Sequence, residues 1–129
     1  MGKFTPSRSN VNDLKINGFG AYSEGADLVI NDGTITVTHS MHAISGQGNS
    51  ADDLNRIEGA SASNIGQILI LRKKGGATGT MTVKDNDAGD SSGANINLAG
   101  DRALSNDKDV LVLVWHGATW LELSFANNA

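Results

Sequence analysis

The chain has no cysteine, which removes disulfides, thiolate metal centres and cysteine nucleophiles in one step. It has a single proline, Pro6, and aromatic residues make up only 5% of it. Glutamate is scarce as well, with three residues against eleven aspartates. Glu favours helix interiors and Asp favours turns, so long helices are not expected. No apolar stretch approaches the ~20 residues that a membrane helix needs, and no signal-peptide pattern opens the chain. Clustered cations are missing too. Ten Lys and Arg stand against fourteen Asp and Glu, a net charge of −4. A phosphate-reading surface rests on basic clusters. Neither nucleic acid nor membrane is therefore expected as a partner.

What the chain does contain is turn and strand chemistry. There are sixteen glycines, with abundant Asn, Ser and Thr. Leu and Ile sit in short runs beside Val and Thr, the company that strands keep. At 129 residues the chain has room for one domain, which buries roughly two thirds of its unfolded surface. The expected fold is all-β: a compact antiparallel β-sandwich or small barrel-like roll with an extended N-terminal arm. Residues 1–23 form that arm and residues 24–129 a single β domain. The arm has little periodicity but carries isolated apolar residues, Phe4, Val11, Leu14, Ile16 and Phe19. A purely solvated tail rarely carries five such residues. The arm is expected to order on a neighbouring subunit, with Phe4 and Phe19 as pegs.

Within the body, Asp27 to Ile30 begins the strands, and Asn31-Asp32-Gly33 is a strong turn signal. Thr34 to Thr38 alternates, with Ile35 and Val37 on one face. The strand is expected to run on through His39 to Ile44. Asp52 to Ile57 fits one helical turn, with Asp53 as its cap. Gln67 to Arg72 is a continuous apolar run, consistent with a strand covered on both sides. Thr80 to Lys84 alternates again, and Asn95 to Leu98 is a brief strand. The clearest element is a hairpin, Val110–Trp115 and Trp120–Phe125 around His116 to Thr119. Its first strand is apolar on both faces, which predicts one face in the core and one against a partner. Val110, Val112, Val114, Trp115 and Trp120 are assigned to that subunit interface, although the two indoles would also serve as core. No convincing internal repeat is apparent.

Catalytic and metal signals are weak. His39 and His42, three apart on a strand, would point to opposite faces and could not share a metal within one chain. In a trimer, one of them could meet its copies on the threefold axis. Asp85 to Asp90 starts like a calcium loop, but Gly89 stands where a ligand should be and no Glu closes it. Asp52, Asp53 and Glu58 could pair as glycosidase carboxylates. Acids at loop edges are commonplace, however. Arg72, Lys73 and Lys74 look like a solvated basic turn. No nucleophile elbow, zinc-binding histidine pair or P-loop occurs. No catalytic residue, metal or cofactor is expected.

Residues 33–124 carry a resemblance. The matching features are Gly33 to Thr38 followed by His42, Asp52 to Gly59, and Gly66 to Leu71. Thr82 to Lys84, Asn95 to Gly100, Asp109 to Leu113 and Thr119 to Ser124 complete the series. In this order they resemble an all-β trimerising module of tailed-bacteriophage structural proteins, found at tail-fibre ends and in head-decoration proteins. The resemblance implies a non-enzymatic virion protein, and it supplies no catalytic residues. Because the sequence opens on Met1 without a repetitive shaft, the decoration (cement) type is the first expectation. That protein would be a homotrimer bound to the major capsid protein through its arm (Phe4, Val11, Leu14, Ile16 and Phe19), made in the host cytoplasm and carried on the capsid surface. The second expectation is a receptor-binding tip of a tail fibre or tail spike.

Overall fold

A computed structural model describes residues 17–85 and 93–128. It is all-β, as the composition predicts. Among the described residues there are eleven strands and two single turns of 3-10 helix, Gln47–Asn49 and Ala62–Asn64. The strands are β1 (Leu28–Val29), β2 (Thr34–Thr36), β3 (Met41–Ser45), β4 (Asp52–Leu54), β5 (Arg56–Glu58) and β6 (Ile68–Lys73). They continue with β7 (Met81–Val83), β8 (Ile96–Asn97), β9 (Arg102–Leu104), β10 (Val110–Trp115) and β11 (Trp120–Ala126).

A curled six-stranded sheet, ordered β1-β3-β6-β10-β11-β8, forms a half-barrel. Two small sheets, β2-β5 and β4-β7-β9, accompany it. The first half of the chain winds. From β3 it passes to β4 and β5, then returns as β6 in parallel beside β3. By the same winding β5 comes to lie parallel to β2, and β7 parallel to β4. This corrects the antiparallel expectation, since five of the eight strand pairings are parallel. Between the named strands, antiparallel pairing joins β6-β10-β11 and β7-β9. The coils bring residues of distant sequence into register: Leu28 lies beside Ile44, and Met41 beside Ile70.

Local chemistry explains several elements. Asn31 and Thr34 exchange both backbone hydrogen bonds at 3.0 Å. Asp32 and Gly33 between them have φ of 49° and 74°, the left-handed pair that a tight hairpin turn requires. The expected helical turn at residues 52–57 does not form. Leu54 and Ile57 are both buried, on the separate strands β4 and β5. Burial on two sheets outweighs the weak preference of three or four residues for a helix. Gly59, at φ 109°, lets the chain pass Val37, whose carbonyl oxygen would lie 2.1 Å from any Cβ.

The core is continuous and includes Ile30, Ile44, Leu69, Leu71, Leu111 and Leu113, all fully buried. Trp120 is fully buried and Trp115 nearly so, with ring centroids 5.2 Å apart. Each indole N–H finds a carbonyl: Trp115 donates to Ser61 and Trp120 to Ile57. The Asn95 side chain bonds both the N–H and the C=O of Ile57, at 2.9 and 2.7 Å, and so takes the place of a neighbouring strand.

Candidate functional site

The strongest candidate is a face of the main sheet. Along β10, Leu111, Leu113 and Trp115 point into the core, while Val110, Val112 and Val114 point out and remain partly exposed. β6 alternates likewise, with Leu69 and Leu71 inward and Ile68 and Ile70 outward. Register places Ile70 between Val112 and Met41, and Val114 between Ile68 and Leu121. Residues directly opposite in neighbouring strands share a face. The result is a contiguous apolar surface on the convex side of the sheet, made of β-branched and long aliphatic side chains. At its rim Arg72, opposite Val110, is held by Glu24 at 2.8 Å. A bulge in β11 sets Leu123 outside the ladder, where it is exposed. Such bulges re-aim a side chain, here adding one more apolar group to the solvent side.

Of the five residues expected at a subunit interface, the structure therefore separates two groups. Val110, Val112 and Val114 lie together on the open face. Trp115 and Trp120 do not join them, because they are spent inside the chain's own core and offer almost no surface to a partner. The continuous apolar run at Gln67 to Leu71 was the signal for Ile68 and Ile70. Met41 had no such signal, because only the fold brings β3 beside β6, whereas Leu121 follows from the hairpin, whose register sets it opposite Val114. Of the arm residues, Phe19 is fully exposed and Tyr22 is 57% exposed. Phe4, Val11, Leu14 and Ile16 lie outside the described residues.

The polar candidates resolve into structural roles. His39 and His42 are not on opposite faces. A bend at residues 39–40 precedes β3 and sets the rings edge to face, 5.8 Å apart. His42 is fully buried; its Nδ1 donates to the Ala26 carbonyl at 2.7 Å. Its Nε2 accepts from the backbone N–H of Thr38 and of His39, at 3.1 Å each. Both nitrogens are thus committed, and His42 pins the entering chain to β3. Among the described residues no group of three or more His, Asp or Glu is placed to hold a metal.

Asp52 and Asp53 are successive on β4, and the Asp52 carboxylate accepts the Asp53 N–H. Glu58 pairs with Arg56 at 3.1 Å. An open depression of about 340 Å³ is lined by Asn106, Asp107, Lys108 and Asn128, none of the three expected acids. Asp85 accepts from the Leu98 N–H, and Asp101 from the Asp85 N–H, so these acids tie the ends of the 86–92 connection. Residues 86–90 of the calcium-like stretch lie outside the described residues. Lys73 is not solvated as expected. It is buried at the end of β6 and donates to the Ser105 carbonyl at 3.0 Å.

Two carboxylates stand out electrostatically. Asp109 is fully buried, and burial alone would push its pKa up. Backbone N–H groups of Asn128, Asn106 and Ser105, with the Ser105 hydroxyl, outweigh that and hold it below the ordinary aspartate value. Glu122 is lowered chiefly by Arg102, which grips it with two bonds of 2.7 Å, and burial opposes the shift. The Arg102 guanidinium also lies over the Phe125 ring, 5.2 Å from its centroid. The cluster around Asp109 joins the β9–β10 turn to the C-terminal residues. Its sequence signal was the run Ser105 to Asp109, rich in residues that bond their own backbone. No family model and no curated protein matches this chain.

Proposed function

We propose that the chain is a non-enzymatic structural subunit of a phage virion, a homotrimeric decoration protein that binds the major capsid protein and stabilises the head lattice. The observation that carries the reading is the apolar outer face centred on Ile70 and Val112, on the two central strands β6 and β10. Contiguous apolar patches on a protein surface mark interaction sites. Interface cores are depleted of charge, as this face is. In the trimer, Val110, Val112 and Val114 pack at the subunit seam. The arm, with Phe19 standing free, reaches the shell. The placement of the polar side chains supports the non-enzymatic part, since His42, Asp109, Glu122 and Lys73 are all engaged in holding backbone or one another. A ligand that binds only the mature shell stabilises it by linkage, by an amount that grows with the logarithm of its free concentration relative to Kd.

The test is the copy number of the protein in purified virions relative to the major capsid protein. A near-stoichiometric ratio is expected. A few copies per particle would instead favour the second reading, a receptor-binding tail tip, and absence from virions would refute both.

A further inference from the structure

The sequence holds one Asn-Gly pair, Asn17-Gly18, and one Asp-Gly pair, Asp32-Gly33. In each, the glycine nitrogen can attack the side-chain carbonyl carbon of the residue before it, because glycine has no Cβ to obstruct the approach. The fold treats the two pairs differently. Asp32-Gly33 is locked in the turn between Asn31 and Thr34, which exchange both backbone hydrogen bonds at 3.0 Å. The Gly33 carbonyl accepts from the N–H groups of Asn55 and Arg56, at 2.7 and 3.0 Å, and a Cβ on Gly33 would lie 2.6 Å from the Asn55 Nδ2. Ring closure there requires the turn to open first. Asn17-Gly18 is under no such restraint. Residues 17–24 are exposed without exception. Among the described residues no heavy atom lies within 4 Å of where a Cβ on Gly18 would be, and no backbone hydrogen bond engages Asn17 or Gly18. The segment meets the body at Glu24, which grips Arg72, and at Gly25, which donates to the Met41 carbonyl.

We propose that Asn17 is a site of spontaneous deamidation, at which the folded chain converts an asparagine into aspartate and isoaspartate. The Gly18 nitrogen loses its proton and bonds to the Asn17 Cγ, and the side-chain amide leaves as ammonia. A five-membered succinimide results. Water then adds to one of its two carbonyls and breaks that carbon–nitrogen bond. Attack at the side-chain carbonyl gives aspartate, and attack at the main-chain carbonyl gives isoaspartate. The balance is one water consumed and one ammonia released, so no oxidant and no enzyme is required. Base speeds the reaction, because the glycine nitrogen attacks once it has been deprotonated. The new carboxyl is exposed and ionised at neutral pH, so the net charge of −4 gains one further negative charge. In isoaspartate the main chain also runs through the former side chain and is one carbon longer. Both changes fall before the ties at Glu24 and Gly25, so the sheets and the core are left as they were. The site stands whether or not the chain assembles. In the proposed subunit it lies within the arm, which ageing would mark while the seam at Val112 stays untouched.

The test incubates the full chain at mildly alkaline pH, folded in buffer and unfolded in guanidinium chloride. Trypsin and a glutamyl endopeptidase then cut after Lys15, Glu24 and Arg56 and release the peptides of residues 16–24 and 25–56. Mass spectrometry reads the exchange of NH2 for OH at Asn17, and chromatography resolves the isoaspartyl forms of both peptides. Conversion at Asn17 is expected to run at rates within about twofold in the folded and unfolded chain, since no opening precedes it. Asp32-Gly33 supplies the internal contrast. Its isomerisation to isoaspartate is expected to be at least about tenfold slower in the folded chain. Gly18→Ala should slow the reaction at Asn17 roughly tenfold or more. The converted chain should keep the urea midpoint of the fresh one. Retention of Asn17 in the folded chain, whatever the unfolded chain does, would overturn the proposal. Conversion that Gly18→Ala leaves undiminished would overturn it as well, because the glycine nitrogen would not then be the attacking group.

Discussion

Replacing Asp109 tests whether one buried carboxylate holds the C-terminal residues to the body. Its Oδ2 accepts from the N–H and hydroxyl of Ser105 and from the N–H of Asn106, at 2.8 to 3.1 Å. Its Oδ1 accepts from the Asn106 side chain and the Asn128 N–H. Asp109→Ala leaves three backbone donors without this acceptor. A stranded buried donor costs about 1–3 kcal/mol. Water reaches the exposed residues of this turn and recovers part of that, so a loss of about 3–5 kcal/mol is expected. Asp109→Asn is milder. One oxygen still serves Ser105, but the new amide faces two donors. Asn106 cannot simply turn its own oxygen toward it, since that oxygen already accepts the Lys108 N–H at 2.8 Å. A cost of about 2–3 kcal/mol follows. The assay is equilibrium urea unfolding at fixed protein concentration, followed by the fluorescence of the buried Trp115 and Trp120. The pH dependence carries a sign. Asp109 has a folded pKa below its unfolded value near 3.9, so its contribution is complete above that value and fades as pH falls through the folded pKa. The gap between wild type and Asp109→Asn should be constant near neutrality and narrow below about pH 4. A gap under about 0.5 kcal/mol at pH 7, or one that widens in acid, would refute the reasoning.

Three further outcomes follow from the geometry. Val112→Asp puts a charge at the centre of the open face; the isolated subunit should lose only about 1 kcal/mol, while a desolvated interface should not tolerate the charge. Sedimentation should show monomers with an unchanged far-ultraviolet spectrum, and an undiminished oligomer would clear this face of the role. Gly59→Ala must drive a Cβ against the Val37 carbonyl and should cost more than ~2 kcal/mol. Gly66→Ala, at φ 93° in open space, should cost only about 1 kcal/mol of backbone strain; equal urea midpoints for the two would contradict the close contact. Glu122→Gln gives up a two-bond, half-buried ion pair with Arg102 and should cost about 1–3 kcal/mol. Because Glu122 is lowered in the folded state, that contribution is present at neutral pH and lost as pH falls below the ordinary Glu value. Thermal melts at pH 7 and pH 3 check it: the difference between the two proteins should shrink at the lower pH.

The local sequence by itself determined the elements whose physics is local. Asn31-Asp32-Gly33 made its turn because the residues tolerate positive φ. Val110–Trp115 and Trp120–Ala126 paired because four residues bring two β-rich runs together at little entropic cost. Two apolar faces on β10 were legible for the same reason, as strict alternation within one strand. The parallel coils were not, because β3 and β6 are partners separated by some twenty residues that include β4 and β5, and no local pattern encodes which strand lies beside which. That partnership decided the rest. It placed Met41 on the outer face beside Ile70 and Val112, while alternation along β10 and the hairpin register turned Trp115 and Trp120 into the core. It also split Asp52 to Ile57 between two sheets and turned Lys73 from a surface cation into a buried donor. Composition set the class of structure, since it is a sum over residues. The candidate interface depends on which side of a curled sheet the chain winds around, and only the assembled coils have a side.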